Sequence, residues 1–172
     1  MLLRSSILGL ALMTVGAAGA GATPTPIPGG ANQVRAVSST LGQTVFNGSL
    51  RITISGLRNA TDAETKSYLP QPDQKVMAFS SLLRNGTNDE FTDLVRYTLA
   101  DKDEVAVGIG DTDVHPANLH ILQGAAVRQT VLFAVDKNFE PVKLIVQCAT
   151  CSSHSSFRAV RFTIPESVLP PS

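Results

Sequence analysis

The sequence has no excess of charge of either sign. Its 14 Lys and Arg residues balance 14 Asp and Glu residues, and charged residues make up only 16% of the 172-residue chain. Binding to nucleic acid, or to an anionic membrane surface, depends on a surplus of positive charge. The composition therefore gives no support to either as a partner.

Common catalytic signatures are also missing. The chain contains no G-x-S-x-G nucleophile elbow, no H-E-x-x-H motif and no glycine-rich strand-to-helix loop for phosphate. Two cysteines and three histidines are its whole supply of thiolate and imidazole metal ligands. We therefore predict a non-enzymatic protein without a cofactor.

Long apolar runs are confined to the beginning of the chain. Residues 1–22 contain one basic residue, Arg4, then an apolar run from Ile7 to Val15 and an A-x-A sequence at Ala20–Ala22. This pattern predicts a secretory signal peptide that is cut near Ala22, and hence a secreted or periplasmic protein. The run is shorter than the roughly 20 residues that span a bilayer, so an uncleaved anchor is the lesser alternative. Without the leader, 13 Lys and Arg stand against 14 Asp and Glu, a net charge of about −1.

Proline and glycine mark the next boundary. Residues 23–33 begin TPTPIPGG, a composition that excludes helix and predicts an extended linker, or simply a disordered start of the mature chain. One domain is expected over 34–166, followed by a disordered tail over 167–172. A mature chain of about 150 residues buries roughly 68–70% of its unfolded surface, enough for a core without metal or many disulfides.

The clearest strand signal lies between Ala125 and Gln147. One side of a period-two repeat is apolar, and the run resumes with the same alternation after a polar break at 136–138. These runs predict two adjacent antiparallel strands or, because their connection is longer than a tight turn, two strands in facing sheets. The apolar positions are Val127, Val131, Phe133 and Val135 in the first run and Val142, Leu144 and Val146 in the second.

Similar alternation extends over most of the chain. Gln43 to Leu57 predicts a hairpin with Asn47-Gly48 in a type I′ turn. Lys75 to Leu83 is apolar on both faces, which favours a central strand that ends near Asn85-Gly86. Residues 58–72 are polar and predict a loop, with a short helical turn as the alternative. With further strands over 91–99, 105–109, 119–122 and 157–164, the pattern predicts an all-β, immunoglobulin-like antiparallel β-sandwich of about seven to nine strands.

The segments VFNGSLRITISGLRNA, PDQKVMAFSSLLRNGTND and LQGAAVRQTVLFAVDKNFEPVKLIV resemble an immunoglobulin-like family of exported bacterial proteins of unknown function. This family includes small secreted antigens and lipoprotein domains. The matching positions include Gly48, Asn85, Phe133 and Leu144. The chain departs from the family pattern at Asp136, where a proline is usual, and it has no cysteine near the cleavage site for a lipid anchor. The resemblance implies the fold and export, and it brings no catalytic residues.

Cys148-Ala149-Thr150-Cys151 is the strongest candidate for chemistry. In an exported protein two cysteines usually pair, and a disulfide here would fix a turn between the last two strands. A redox C-x-x-C motif normally opens a helix, whereas this one follows a strand. We predict a structural disulfide between Cys148 and Cys151, with an exchangeable redox pair, a metal site and free thiols as the alternatives.

A metal site would need more ligands than the motif offers. Cys148, Cys151 and His154 are the weak candidates, with His115 or His120 as a fourth ligand. We expect these histidines to be ordinary surface residues, and the acidic segments 101–104 and 111–113 to be solvated turns. Three N-x-S/T sequons are glycan acceptors only in a eukaryotic secretory route, at Asn47, Asn59 and Asn85.

Taken together, these patterns predict an exported, non-enzymatic module that binds or scaffolds an unknown protein partner outside the cytoplasm. Its surface would be a set of loops or an exposed sheet edge. The alternative function is a thiol-redox or metal-handling protein that uses Cys148, Cys151 and His154.

Overall fold

Two five-stranded sheets form the protein, in a computed structural model that describes residues 36–107, 112–152 and 155–170. Sheet A contains, in spatial order, β1 (Val37–Thr40), β10 (Val160–Thr163), β9 (Lys143–Cys148), β5 (Val95–Ala100) and β6 (Ala106–Val107). Sheet B contains β2 (Thr44–Phe46), β3 (Leu50–Asn59), β4 (Gln74–Asn85), β8 (Ala126–Asp136) and β7 (Thr112–His115).

Antiparallel pairing dominates both sheets. The exception is β1, which lies parallel to β10 with Val37 opposite Val160. The chain then passes from sheet A to sheet B at Gly42, whose positive φ of 90° suits glycine. The Gly42 N–H donates to the carbonyl of Ile54 over 2.8 Å, so the crossing is tied to sheet B.

The predicted all-β sandwich is confirmed, with ten strands in the described residues instead of seven to nine. β4 is central in sheet B, as its apolar faces predicted. β8 and β9 lie in facing sheets, which was the second of the two arrangements considered. The predicted strand over 119–122 is reduced to a single bridge between Ile121 and Phe91.

Inward-facing side chains of both sheets form one core. On sheet B these side chains come from every second position of β3, β4 and β8, and Phe79 stacks on Phe133 with ring centroids 5.7 Å apart. On sheet A, Tyr97 meets Phe79 edge-on at 5.6 Å. Aromatic contacts of this kind stabilise the core beyond the burial of apolar surface. The contact between Tyr97 and Phe79 joins the two sheets.

A polar cluster crosses this apolar interior. The Tyr97 hydroxyl of sheet A lies 2.6 Å from Gln129 Oε1 and 2.8 Å from Ser81 Oγ, both on sheet B. Since the amide oxygen only accepts, Tyr97 donates to Gln129 and Ser81 donates to Tyr97. Gln129 Nε2 donates to the carbonyl of Pro116 over 2.7 Å. Burial raises the pKa of Tyr97, so the hydroxyl keeps its proton and the cluster links the sheets.

The prediction of a loop over 58–72 is wrong, and the alternative of a short helical segment is the better one, because α1 (Asp62–Tyr68) lies between β3 and β4. Thr61 caps the helix, accepting from the Glu64 N–H, while the Glu64 carboxylate accepts from the Thr61 N–H. Arg58 also holds this carboxylate in a two-bond pair, which is the largest cause that lowers the pKa of Glu64 to about 2. The T-x-x-E capping box was present in the sequence and is the signal that predicts this helix.

α1 covers part of the outer face of sheet B. Val76, Ala78 and Leu132 form a second small apolar cluster there, against which Tyr68 packs. This explains why β4 is apolar on both faces. Among the described residues, no helix is long and apolar enough to cross a membrane.

Regular structure continues past the last strand. A single 3-10 turn spans Glu166–Val168, and Leu169 is half-buried against the core, where the sequence predicted the start of a disordered tail. The tail remains a prediction for residues 171–172, which lie outside the described ranges. The predicted signal peptide (1–22) and linker (23–33) also lie outside them.

Candidate functional site

Four connections meet at one end of the sandwich, here called the cysteine end. They are the β2–β3 turn (47–49), the β4–β5 loop (86–94), the segment before β8 (116–125) and the β9–β10 loop (149–159). Strand pairing sets this placement, because Leu50 lies opposite Asn85 in sheet B and Val95 lies opposite Cys148 in sheet A. α1 and the turn at 101–105 lie at the opposite end, here called the helix end.

The C-x-x-C motif forms a turn at this end, directly after β9. A disulfide joins Cys148 to Cys151, whose Cα atoms are 5.6 Å apart. The turn is docked on the neighbouring β4–β5 loop, because the Ala149 N–H donates to the Leu94 carbonyl over 2.8 Å and the Leu94 N–H donates to Thr150 Oγ1 over 2.9 Å. The cysteine turn is therefore a rigid connection between two loops.

Asp93 lies against this turn. Thr150 Oγ1 donates to Asp93 Oδ1 over 2.9 Å, and Asp93 Oδ2 lies 3.4 Å from Cys151 Sγ. The Cys148 sulfur has a different neighbour, the Cys151 N–H at 3.0 Å. A thiolate released at Cys151 would be repelled by the carboxylate, whereas one at Cys148 would be stabilised by the N–H. The carboxylate thus disfavours opening of the disulfide through Cys151.

The predicted metal ligands do not come together in the described residues. The group with suitable geometry is Asp93, Cys148 and Cys151, whose ligand atoms lie within 4.8 Å of one another. Both sulfurs are in the disulfide, so they offer no thiolate to a metal. His115 instead contacts Asp113 at 2.7 Å and His120 contacts Glu90 at 3.3 Å, while His154 lies outside the described residues.

Sequence reasoning did not find Asp93. It is more than fifty residues from the cysteines, and its carboxylate reaches them only because β5 pairs with β9. No local pattern marks such a contact.

Asn47 is the buried centre of the β2–β3 turn. Its side chain is fully buried, Oδ1 accepts the N–H groups of Ser49 (3.0 Å) and Leu50 (2.8 Å), and Nδ2 donates to the Arg158 carbonyl (3.0 Å). The Arg158 N–H returns a bond to the Asn47 carbonyl over 2.9 Å. One side chain therefore joins a turn of sheet B to the segment that leads into β10 of sheet A.

Asn85 has the corresponding role in the β4–β5 loop. Its Nδ2 donates to the carbonyls of Asp89 (2.7 Å) and Ile121 (2.8 Å), and its Oδ1 accepts from the Thr87 N–H (2.9 Å). The amide thus holds the loop on the segment before β8. Together with Asn47 and the disulfide, it makes the cysteine end a set of loops fixed to one another.

Burial also separates the three sequons. Asn47 and Asn85 use their amide groups inside the fold, so neither side chain presents a free acceptor nitrogen. The Asn59 residue is exposed at the end of β3. Of the three sequon asparagines, Asn59 is the one that faces solvent in the folded protein.

At the helix end the surface is solvated. The Asp101 carboxylate accepts from the N–H groups of Asp103 and Val105 at 2.9 Å, which closes the charged turn. A hydrogen bond from Lys143 lowers the pKa of Glu104 in the same turn. Nearby clefts of about 340 and 360 Å³ are open to solvent. These contacts agree with a solvated turn over 101–104. The prediction of a turn over 111–113 is wrong for its described residues, because Thr112 and Asp113 belong to β7 and pair with β8.

The contact between Asp93 and Cys151 makes a testable prediction about the disulfide. Asp93→Asn keeps an oxygen for Thr150 and removes the negative charge. We expect an anionic thiol such as mercaptoethanesulfonate to reduce the variant faster, by up to about tenfold. The rate is measured by quenching with an alkylating agent and mass spectrometry. Asp89→Asn, an exposed acid on the same loop, is the control and should change the rate by less than about twofold. Equal rates for wild type and Asp93→Asn would contradict the prediction.

Two solved structures align with most of this chain at low sequence identity. No family model and no curated protein matches the sequence. An uncharacterized β-sandwich protein from Clostridium difficile 630 aligns with 82% of this chain and 99% of its own, at 10% identity and a TM-score of 0.48. The secreted protein MPT63 of Mycobacterium tuberculosis aligns with 75% of this chain and 98% of its own, at 11% identity and a TM-score of 0.49. The family named from the sequence pattern stays a prediction.

Proposed function

We propose that this protein is an exported, non-enzymatic β-sandwich module that binds a protein partner through its cysteine end. The observation that carries the proposal is the fixing of the four connections to one another by Asn47, Asn85 and the disulfide turn. A surface that is already ordered loses little conformational entropy on binding, which favours affinity. Loops on a rigid scaffold are where proteins commonly place binding residues.

Export is supported by two independent features. Residues 1–22 have the pattern of a cleaved signal peptide. The disulfide between Cys148 and Cys151 persists in oxidising compartments and is rare in the cytosol. On this proposal residues 23–33 act as a linker between the cleavage site and the sandwich.

The absence of catalysis is proposed from how the chemically competent groups are used. Tyr97 is a buried titratable group with a strongly shifted pKa, and its hydroxyl is engaged by Gln129 and Ser81 in the core. The cysteines close a turn, and the Asp93 carboxylate accepts a hydrogen bond from Thr150 in that turn. Each group has a structural partner that accounts for its position.

The alternative is thiol-redox or metal chemistry at Cys148 and Cys151. The Cys151 N–H at Cys148 Sγ favours it, and the carboxylate at Cys151 opposes it. Thiol trapping with and without reductant, together with a metal titration, separates the two functions. A stable, unreactive disulfide and no metal uptake remove the alternative.

Site-specific photo-crosslinking tests the proposed surface. A photo-crosslinking amino acid replaces Leu122, which is 64% exposed at the cysteine end, or Val105, which is 60% exposed at the helix end. The full chain is produced in its own cells and irradiated in the external fraction. We expect a discrete, saturable adduct from position 122 and none from position 105, because the two positions differ in location and hardly in exposure.

Two outcomes would overturn the proposal. One is an adduct of the same mass from both positions, which would indicate random collision. The other is a specific adduct from position 105 alone, which would place the partner at the helix end.

A further inference from the structure

Three arginines stand side by side on the outer face of sheet B, near the cysteine end. Arg51 on β3 lies directly opposite Arg84 on β4, and Arg84 lies opposite Ala126, two residues before Arg128 on β8. All three residues are exposed. Side chains directly opposite have Cβ atoms about 4.5–5.5 Å apart and diagonal neighbours about 7–8 Å apart, so the three arginines form one row on this face, here called the arginine face.

No carboxylate neutralises the arginine face within the described part of the chain. The ion pairs found there involve Arg58, Lys102, Lys143 and two histidines, none of which belongs to the face. Like charges directly opposite on neighbouring strands are destabilising. In a chain with equal numbers of acidic and basic residues, such a local concentration of positive charge is a feature that folding alone does not explain.

Each guanidinium is held from one side, and each remains exposed. Arg84 donates to the Gly124 carbonyl over 2.7 Å and Arg128 donates to Ser80 Oγ over 3.0 Å. Arg51 lies over the Phe46 ring at 5.2 Å, and a Cβ at Gly86 would come within 2.9 Å of its Nη1. The absence of a side chain at residue 86 thus leaves room for this stack. A guanidinium has five N–H donors, so each of the three has donors left for a carboxylate.

We propose that the arginine face binds an acidic segment of the protein partner, with an apolar side chain of that segment seated on Phe46. Phe46 is 42% exposed beside Arg51, and an exposed aromatic ring beside a guanidinium suits a peptide better than a purely anionic polymer. Carboxylates spaced along an extended peptide match guanidinium groups on adjacent strands. This inference rests on the proposed function and names the chemistry of its partner.

A defined peptide tests the arginine face without the natural partner. The probe is a fluorescein-labelled peptide in which glutamates alternate with serines around a central phenylalanine, titrated by fluorescence anisotropy at low salt. The variant Arg51→Gln/Arg84→Gln/Arg128→Gln should weaken binding at least about tenfold. The control Lys66→Gln/Arg96→Gln/Lys137→Gln removes the same charge from exposed positions elsewhere and should stay within about twofold. Thermal melts verify folding, and removal of like charges should leave the first variant at least as stable as wild type.

A second variant acts on geometry alone. Gly86→Ala forces the Phe46 ring and the Arg51 guanidinium to move while every charge is kept. We therefore expect this variant to weaken binding of the phenylalanine peptide more than it weakens binding of a serine-only acidic peptide.

Equal loss in both triple variants would overturn the inference, because binding would then follow net charge alone. So would binding of inorganic polyphosphate with no binding of the peptide, since the ligand would then be an anionic polymer. Peptide binding to the arginine face without crosslinking at position 122 would remove the proposed partner surface and leave the face intact.

Discussion

Gly48→Ala is expected to be among the most destabilising single substitutions in this protein. Gly48 has a φ of 105°, a conformation that L side chains rarely adopt, and a Cβ there would overlap the carbonyl oxygen of Ser156. Left-handed strain and overpacking together should lower the free energy of unfolding by about 2–5 kcal/mol. Urea unfolding followed by far-ultraviolet circular dichroism measures this, a suitable probe because the chain has no tryptophan.

Gly42→Ala is the matched control. Gly42 also has a positive φ, of 90°, but apart from its two chain neighbours no described residue has an atom within 4 Å of the position that its Cβ would take. It should therefore lose only the conformational part, about 1–2 kcal/mol. The difference between the two variants isolates the close approach of the β2–β3 turn to the β9–β10 loop. If both lost the same free energy, the approach would contribute nothing to stability.

Strand positions were predictable because the core imposes a period of two. The apolar alternation of Val131, Phe133 and Val135 corresponds to the buried face of β8. The same alternation also places a polar residue on the inward face, which a search for apolar positions alone overlooks. Gln129 occupies an inward position of that row and is fully buried, so its amide needed polar partners inside the fold, one of which lies in the facing sheet. That partner, Tyr97, is set by how the sheets stack, which local sequence does not specify.

Polar segments were predicted less well, because turn signals and helix signals share residue types. Asn59 to Glu64 has the composition of a loop, yet the pairing of Thr61 with Glu64 starts a helix. At the hairpin, Asn47-Gly48 was expected to form the two-residue turn. In the structure Gly48 and Ser49 make the turn, and the Asn47 N–H donates to the Leu50 carbonyl over 3.0 Å.

Of the candidate site, only the covalent element was visible in the sequence. The spacing of Cys148 and Cys151 suggested a disulfide turn, since a four-residue segment brings the two cysteines close. Asp93 and the arginine face depend on which strands become neighbours. Arg51, Arg84 and Arg128 alternate with apolar residues like any solvent-facing positions, and only the register of β3, β4 and β8 makes them a cluster. Register between distant strands is a tertiary property.

Asn47→Ala should produce the second large loss of stability. It removes the acceptor for the N–H groups of Ser49 and Leu50 and the donor to the Arg158 carbonyl, all inside the fold. A buried polar group without a partner is costly, so we expect the free energy of unfolding to fall by about 3–5 kcal/mol. Asn138→Ala, at an exposed position of the helix end, should change it by no more than about 0.5 kcal/mol.

The double variant Asn47→Ala/Gly48→Ala then distinguishes a shared junction from two separate defects. Both residues act on the contact between the β2–β3 turn and residues 156–158, through Ser156 and Arg158. Once Asn47→Ala has released that contact, the turn and Ser156 can move apart, which relieves the overlap that Gly48→Ala creates. The double variant should therefore lose clearly less free energy than the sum of the two single losses. Strict additivity would mean that the turn and the β9–β10 loop are stabilised independently, and the cysteine end would then not be one preorganised surface.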